Sequence, residues 1–172
     1  MTETQEQFFS RLDRLGTGER AALRRSVGTM LRHADGAALT VFYRCLPPTV
    51  DVREEGKWFA VACCRCLWDA GPEAGRQFER ILADLIRKEE LSDSTRHRVE
   101  ILLDTKWDAD GYMLTKLSRL LKLVRQKSDS AMIDFSALLE DLLLWNSDSQ
   151  IIQRKWARAV FANDTDNEKK ES

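Results

Sequence analysis

The sequence predicts an all-α fold of about eight helices in one or two packed bundles, and three observations carry that prediction. Only 3 prolines and 8 glycines occur in 172 residues, too few turn formers for a many-stranded sheet. The strong helix formers Leu, Ala, Arg, Glu and Lys dominate the composition. Apolar residues recur at spacings of three and four, and no segment sustains the two-residue alternation of a half-buried strand. At 43% hydrophobic and 32% charged, the chain is too apolar to be disordered. A chain of this length buries roughly 70% of its unfolded surface and needs no staple to build a core.

A first helix is expected over 6–15, where Phe8, Leu12 and Leu15 share a face. Gly16-Thr17-Gly18 breaks it, and Thr17 can cap a second helix over 19–33. Leu23, Val27, Met30 and Leu31 face inward there, and Arg25 and Arg32, seven residues apart, share the other face. A short apolar helix over 37–46 follows Asp35-Gly36 and stops at Pro47-Pro48, which cannot continue it. Asp51 and Glu54 have capping-box spacing ahead of a helix reaching residue 70. Gly71-Pro72 ends that helix and starts the next, whose apolar face is Phe78, Ile81, Leu82, Leu85 and Ile86.

The polar run Arg87-Lys88-Glu89-Glu90 leads into Ser92-Asp93-Ser94, and a subdomain boundary is expected at 87–94. Helices are then expected over 95–105, with Val99, Leu102 and Leu103 inward, and over 109–127, capped by Asp108. Asp134 caps another that ends near Trp145, and the last covers 149–162. The helical domain thus spans 1–162, and the polar stretch 163–172 is expected to be a disordered tail.

The 27 basic residues balance 28 acidic ones for a net charge of −1. That excludes a wholly basic nucleic-acid coat protein, but not a localised basic face. Residues 1–6 carry neither a cationic region nor an apolar run, so no secretory signal is expected. No stretch approaches the ~18 apolar residues of a membrane span. Cys45, Cys63, Cys64 and Cys66 therefore read as reduced thiols of a cytoplasmic protein.

Met113 to Lys127 is the most informative segment. It holds five cations (Lys116, Arg119, Lys122, Arg125, Lys127) and no carboxylate. At about 100° per residue, Met113, Leu114, Leu117, Leu120, Leu121 and Val124 fall within an arc of about 120°, and the cations fill the remainder with Leu123. Ordinary solvated faces mix both signs, whereas a face that excludes acids has the footprint of phosphate binding. Arg154, Lys155 and Arg158 form a second cluster opposite Ile152, Trp156, Ala159 and Val160. Arg20, Arg24, Arg25 and Arg32 form a third. The guanidinium fork suits phosphate better than a point charge does.

Other chemistries are poorly supported. A zinc site usually needs four ligands in separated pairs. Cys63, Cys64 and Cys66 sit instead within an apolar helical pattern and read as small core residues. Asp108-Ala109-Asp110-Gly111 resembles half a calcium loop, but its glycine comes two positions early and no closing Glu follows. No Walker loop, Gly-x-Ser-x-Gly, His-Glu-x-x-His or dinucleotide fingerprint occurs. Neighbouring carboxylates such as Glu140-Asp141 diverge on a helix, and the tryptophans fall mostly on apolar faces. No enzyme activity, metal or cofactor is expected.

The order of the segments resembles a known family. Ala22-Leu23-Arg24-Arg25 followed by Ala38-Leu39-Thr40-Val41-Phe42-Tyr43-Arg44-Cys45-Leu46-Pro47 is similar to the N-terminal signature of the CasB family. That family is the small subunit of the type I-E CRISPR surveillance complex, Cascade. Ser92-Asp93-Ser94-Thr95-Arg96 before Ile101-Leu102-Leu103, then Leu117-Ser118-Arg119-Leu120-Leu121, resemble its central motifs. Ile133-Asp134-Phe135-Ser136-Ala137-Leu138-Leu139-Glu140-Asp141-Leu142, Trp145 and Trp156-Ala157-Arg158 complete the series. The resemblance implies a non-catalytic subunit that pairs head to tail with a second copy against the subunits wrapping the guide RNA. Its basic surface would help hold guide RNA, target DNA and the displaced strand of the R-loop. The basic positions it implies are Arg24 or Arg25, Arg44, Arg96, Arg119 and the cluster Arg154, Lys155 and Arg158; Lys122 and Arg125 join them from the helix-face argument alone. A helical protein–protein adaptor without nucleic-acid binding is the rival reading, and a helical enzyme with an unrecognised site is a further one.

Overall fold

A computed structural model describes residues 1–68, 75–88, 92–128 and 130–162. These residues form nine α-helices and one 3-10 turn: α1 (Glu3–Asp13), α2 (Thr17–Arg25), the 3-10 turn Leu31–His33, α3 (Gly36–Cys45), α4 (Glu55–Arg65), α5 (Phe78–Arg87), α6 (Asp93–Leu103), α7 (Tyr112–Lys127), α8 (Phe135–Leu144) and α9 (Ile151–Phe161). The all-α architecture read from the sequence is the one observed. Among the described residues the one extended pairing is an isolated bridge between Arg76 and Ile133. No described helix is long and apolar enough to cross a membrane.

Several boundaries differ from the sequence reading: α1 opens at Glu3 behind a Thr2 cap, and Thr17, expected as a cap, is the first residue of α2, whose N-cap is Gly16. The helix expected over 19–33 ends at Arg25, because Gly28 takes a left-handed φ of 81° that glycine adopts at little cost. Arg32 therefore lies in a separate turn and does not share a helical face with Arg25. Asp51 does not cap α4: its carboxylate turns back onto the Arg53 backbone N–H and guanidinium, and the helix opens at Glu55. α4 itself ends at Arg65, short of residue 70. Asp108 accepts from the backbone N–H groups of Asp110 and Gly111, a turn that delivers the chain to α7 rather than a cap on it. At Gly111, φ is 73°, so the backbone conformation favours glycine; a Cβ would lie 2.7 Å from Met30 Sδ, which that flexible side chain can relieve by shifting. Asp134 caps α8 as expected, accepting from Ala137 N–H at 3.0 Å. The Gly71-Pro72 break, Glu89-Glu90 and the tail at 163–172 lie outside the described residues, as does the middle of the boundary expected at 87–94.

The buried apolar side chains form one connected cluster, to which every α-helix contributes. α4 is buried along its whole length, from Lys57 to Arg65, and packs against α2, α7 and α8. Phe8, Phe42, Phe59 and Trp58 interlock edge to face around it. α9 docks on α5 through Phe78 and Trp156, with ring centroids 5.7 Å apart, and Trp156 also meets Trp145 at 5.2 Å. Trp58, Trp68, Trp145 and Trp156 are all buried, as the apolar faces implied.

One polar network lies within this packing. Asp141 on α8 accepts from Trp156 Nε1 at 2.7 Å and from Lys155 Nζ at 2.6 and 2.8 Å. Lys155 also reaches the buried carboxylate of Glu79 on α5 at 3.4 Å. Three helices are thereby joined through one ammonium. Cys45, Cys63, Cys64 and Cys66 are buried and free. Burial pushes Cys45 up to about 11 and Cys64 up to about 12, and raises Cys63 and Cys66 as well.

Asp141→Ala strands a buried indole N–H and uncouples Lys155. We expect a loss of about 3 kcal/mol, the lower end for a broken buried pair because Lys155 is partly solvated. In a domain of this size that lowers Tm by roughly 10 °C, read by thermal melting followed by circular dichroism. For the thiols, a folded-state pKa above the unfolded value of ~8.5 means neutral burial adds stability below pH ~8.5. That contribution is lost as pH rises through the raised values. Iodoacetamide at pH 8 should modify none of the four cysteines in native protein and all four in urea, and Tm should fall as pH climbs beyond 9.

Candidate nucleic-acid interface

The basic residues divide by what their side chains meet. On α7 the expected stripe is buried: Met113, Leu114, Leu117, Leu120, Leu121 and Val124, joined by Ser118. The opposite side faces outward with Arg119 and Lys122 exposed. A groove of about 430 Å³ runs between α6 and α7, lined by Arg98, Lys116, Arg119, Lys122, Leu123 and Gln126. Four cations and no carboxylate line it. Lys116 Nζ sits 4.2 Å above the Tyr112 ring, a cation–π contact that steadies a flexible side chain. Lys116 belongs to the acid-free face read from the sequence, whereas Arg98 does not. Their signal was the alternating Arg96-His97-Arg98 run and the acid-free α7 face, but only packing shows that the two helices align those cations.

Arg125 lies on the same helix yet does different work. Its Nε donates to the Leu67 carbonyl at 3.2 Å. Arg24 Nε donates to Cys66 O at 2.9 Å, Arg20 to Trp68 O at 2.6 Å, and Arg65 to Trp68 O at 3.1 Å. Four guanidiniums from α2, α4 and α7 thus converge on the carbonyls of residues 66–68. A helix C-terminus carries unsatisfied carbonyls and the negative end of the dipole. Arg24 and Arg125, both read from the sequence as candidate phosphate ligands, each have a main-chain acceptor in this fold. Arg44 is similarly engaged: it pairs with Glu19 at 2.5 Å. The Gly16 backbone N–H and then Arg44 hold Glu19 below its ordinary pKa. Arg25 is exposed and Arg96 is half-buried on α6.

A second, larger cleft of about 950 Å³ lies between α5 and α9. Arg154 and Arg158 line it together with Arg76, Arg80 and Arg87, which sequence reading did not single out. Arg80 and Arg87 are seven residues apart on the polar side of α5, a spacing that places them on one face. Lys155 lies below them, held by Asp141 and Glu79. The two grooves have no lining residue in common. Among the described residues, no group of three or more His, Cys, Asp or Glu side chains could hold a metal ion.

What these helices build is familiar from solved proteins. The Cse2 protein of Thermus thermophilus is 29% identical over 178 residues, covering 96% of this chain and 94% of that protein. The crystal structure of CasB from Thermus thermophilus is similar with a TM-score of 0.74 at 28% identity, over 94% of this chain and 99% of that one. One chain of a CRISPR RNA-guided surveillance complex shares the fold, with a TM-score of 0.73 at 24% identity, over 99% and 98% of the two chains. The family described as CRISPR-associated protein Cse2 matches residues 19–161. With that match over most of its length, the chain belongs to the Cse2 family, the CasB family that its segment order resembles.

Proposed function

We propose that this chain is a non-catalytic subunit of a CRISPR RNA-guided surveillance complex in the cytoplasm, and that its basic surface binds nucleic-acid backbones there. Its partners would be guide RNA and target DNA, the subunits that wrap the guide, and a second copy of itself. The observation that carries this reading is the α6–α7 groove, where Arg98, Lys116, Arg119 and Lys122 line a concavity without a carboxylate. Arg119 and Lys122 make no hydrogen bond or ion pair among the described residues, so their charge is available to a ligand. Membership of the Cse2 family supports the assembly.

The physical role follows from how such complexes read sequence. Base pairing between guide and target supplies specificity, so an accessory subunit needs phosphate contacts without base readout. Exchange of a DNA duplex for an RNA–DNA heteroduplex is nearly balanced in free energy. A modest grip on backbone phosphates of the R-loop and the displaced strand therefore shifts it towards the open state. Cations on a rigid helix face provide that grip at little entropic cost.

Removing three groove cations tests the reading directly. In Arg98→Ala/Arg119→Ala/Lys122→Ala protein the log–log salt slope of R-loop binding should become shallower by about 2–3, at 0.7–0.9 per phosphate, with Tm unchanged. Arg125→Ala should do the reverse, lowering stability by about 1 kcal/mol through its lost hydrogen bond while leaving the slope close to wild type. Unchanged affinity and slope in the folded triple variant would leave the protein–protein adaptor as the better account. Prolonged incubation of DNA or RNA with the protein and Mg²⁺ or Mn²⁺ should give no cleavage products on a denaturing gel. Cutting abolished by Asp134→Ala or Glu140→Ala would refute the non-catalytic assignment.

A further inference from the structure

The turn between α8 and α9 encloses a cavity of about 140 Å³ against the end of α6. The C-terminal ends of α6 and α8, at Leu103 and Leu144, both border it, and each brings the negative end of a helix dipole. Among the groups lining it, Gln153 Oε1 and Ser147 Oγ are buried and have no hydrogen-bond partner among the described residues. An amide oxygen can only accept, so Gln153 calls for a donor. Asp104 and Asp148 also line the cavity, exposed and without an ion-pair partner among the described residues. Lys106 is the one cation in this lining.

The cavity is held open by its own hydrogen bonds. Trp145 Nε1 donates to Thr105 O at 2.8 Å. The Asn146 side chain clasps Trp107 at its backbone N–H and carbonyl, at 2.9 and 2.7 Å. Gln153 Nε2 donates to Trp145 O at 2.6 Å, which fixes the amide and leaves its oxygen over. Leu103 and the buried Trp145 supply an apolar wall beside the acceptors. The volume is several times the about 30 Å³ of a water and well below the about 300–1,000 Å³ of small-molecule sites. One long side chain matches it.

We propose that this socket receives an arginine side chain from a neighbouring protein chain. The source of that arginine rests on the proposed surveillance complex, whereas the socket itself shares no lining residue with either basic concavity. A guanidinium carries five donors in one plane and is more weakly hydrated than an ammonium. It can therefore serve Gln153 Oε1, Ser147 Oγ and a carboxylate together. Its aliphatic stem suits the wall of Leu103 and Trp145, and arginines seated in desolvated pockets are common anchors of protein interfaces. Two carboxylates and two helix C-termini outweigh Lys106 and select a cation. The same charges repel a phosphate backbone, so this end of the molecule sorts for protein.

The test titrates the full chain, labelled for NMR, with a blocked glycine–arginine–glycine tripeptide, with its lysine and citrulline counterparts, and with spermidine. The Trp145 indole and Gln153 side-chain N–H resonances report the site. We expect both to shift, with a Kd on the order of 1 mM for a single side chain. Citrulline, which lacks the charge, should bind about tenfold more weakly. Ser147→Ala removes a hydroxyl that has no partner to lose, and should weaken binding about threefold with Tm unchanged. Asp104→Asn/Asp148→Asn should weaken it about tenfold. Lysine peptide or spermidine binding as tightly as the arginine peptide would overturn the proposal. So would the absence of any shift at Trp145 and Gln153, which leaves the cavity to water alone. Binding seen only in Lys106→Ala would mean that this chain's own ammonium fills the socket, and overturns it too. In the purified surveillance complex, Asp104→Asn/Asp148→Asn should cut occupancy by this chain about fivefold. Full occupancy alongside lost peptide binding would overturn the neighbouring chain as the source. Failure of the wild-type chain to enter the complex would instead refute the assembly, and the peptide titration would decide the socket.

Discussion

The fold depends on satisfying the C-terminal end of α4. This helix is buried on all sides; its last carbonyls are taken by the backbone N–H groups of residues 66–68, which leaves the carbonyls of 66–68 needing donors, and a buried polar group without a partner costs about 1–3 kcal/mol. Arg20 and Arg24 from α2, Arg65 from α4 itself and Arg125 from α7 supply the donors. Arg65 also pairs with Asp13 at the end of α1 at 2.8 Å. One helix terminus thereby fixes the placement of three others. The arrangement suits the charge as well as the hydrogen bonds, since cations at a helix C-terminus oppose the negative end of its dipole.

Functional geometry follows from that arrangement. Because Arg125 anchors the far end of α7 to Leu67, the helix cannot rotate about its axis, and Arg119 and Lys122 stay turned towards Arg98 on α6. The buried stripe of α7 acts in the same sense, with Cys64 of α4 lying against Ser118. A rigid face holds its cations at fixed separations, which lowers the ordering cost of binding a regular array of phosphates. The chain thus divides its arginines between a set that builds the scaffold and a set that the scaffold presents.

At the other end of the molecule the Asp141, Lys155, Glu79 and Trp156 network serves α9 as the arginine cluster serves α4. A buried ion pair contributes little net stability compared with apolar packing. Its value here lies in register: Lys155 can satisfy Asp141 and Glu79 together only when α9 sits at one rotation and height against α5 and α8. That register turns Arg154 and Arg158 towards the α5 arginines. Each basic concavity is thus set by an internal ionic contact at its back.

The amphipathic periods determined the helices on their own, and most were legible residue by residue. The α7 stripe, the α8 cap at Asp134 and the apolar face of α5 all lie where spacing alone placed them. Helix ends were less legible where a glycine at positive φ or a local carboxylate turn intervened, as at Gly28, Gly111 and Asp51. The acid-free face of α7 was also visible, because it is a property of one segment read at about 100° per residue. Which of its cations are exposed was not. Arg119 and Arg125 are chemically identical and share a helix, and only the arrival of the Leu67 carbonyl beside Arg125 gives that one a main-chain partner. The pairing of Arg98 with α7, and of Arg80 with Arg154 and Arg158, was equally hidden. Periodicity specifies which side of a helix is buried, whereas the partner of an exposed guanidinium is decided by contacts between segments distant in sequence.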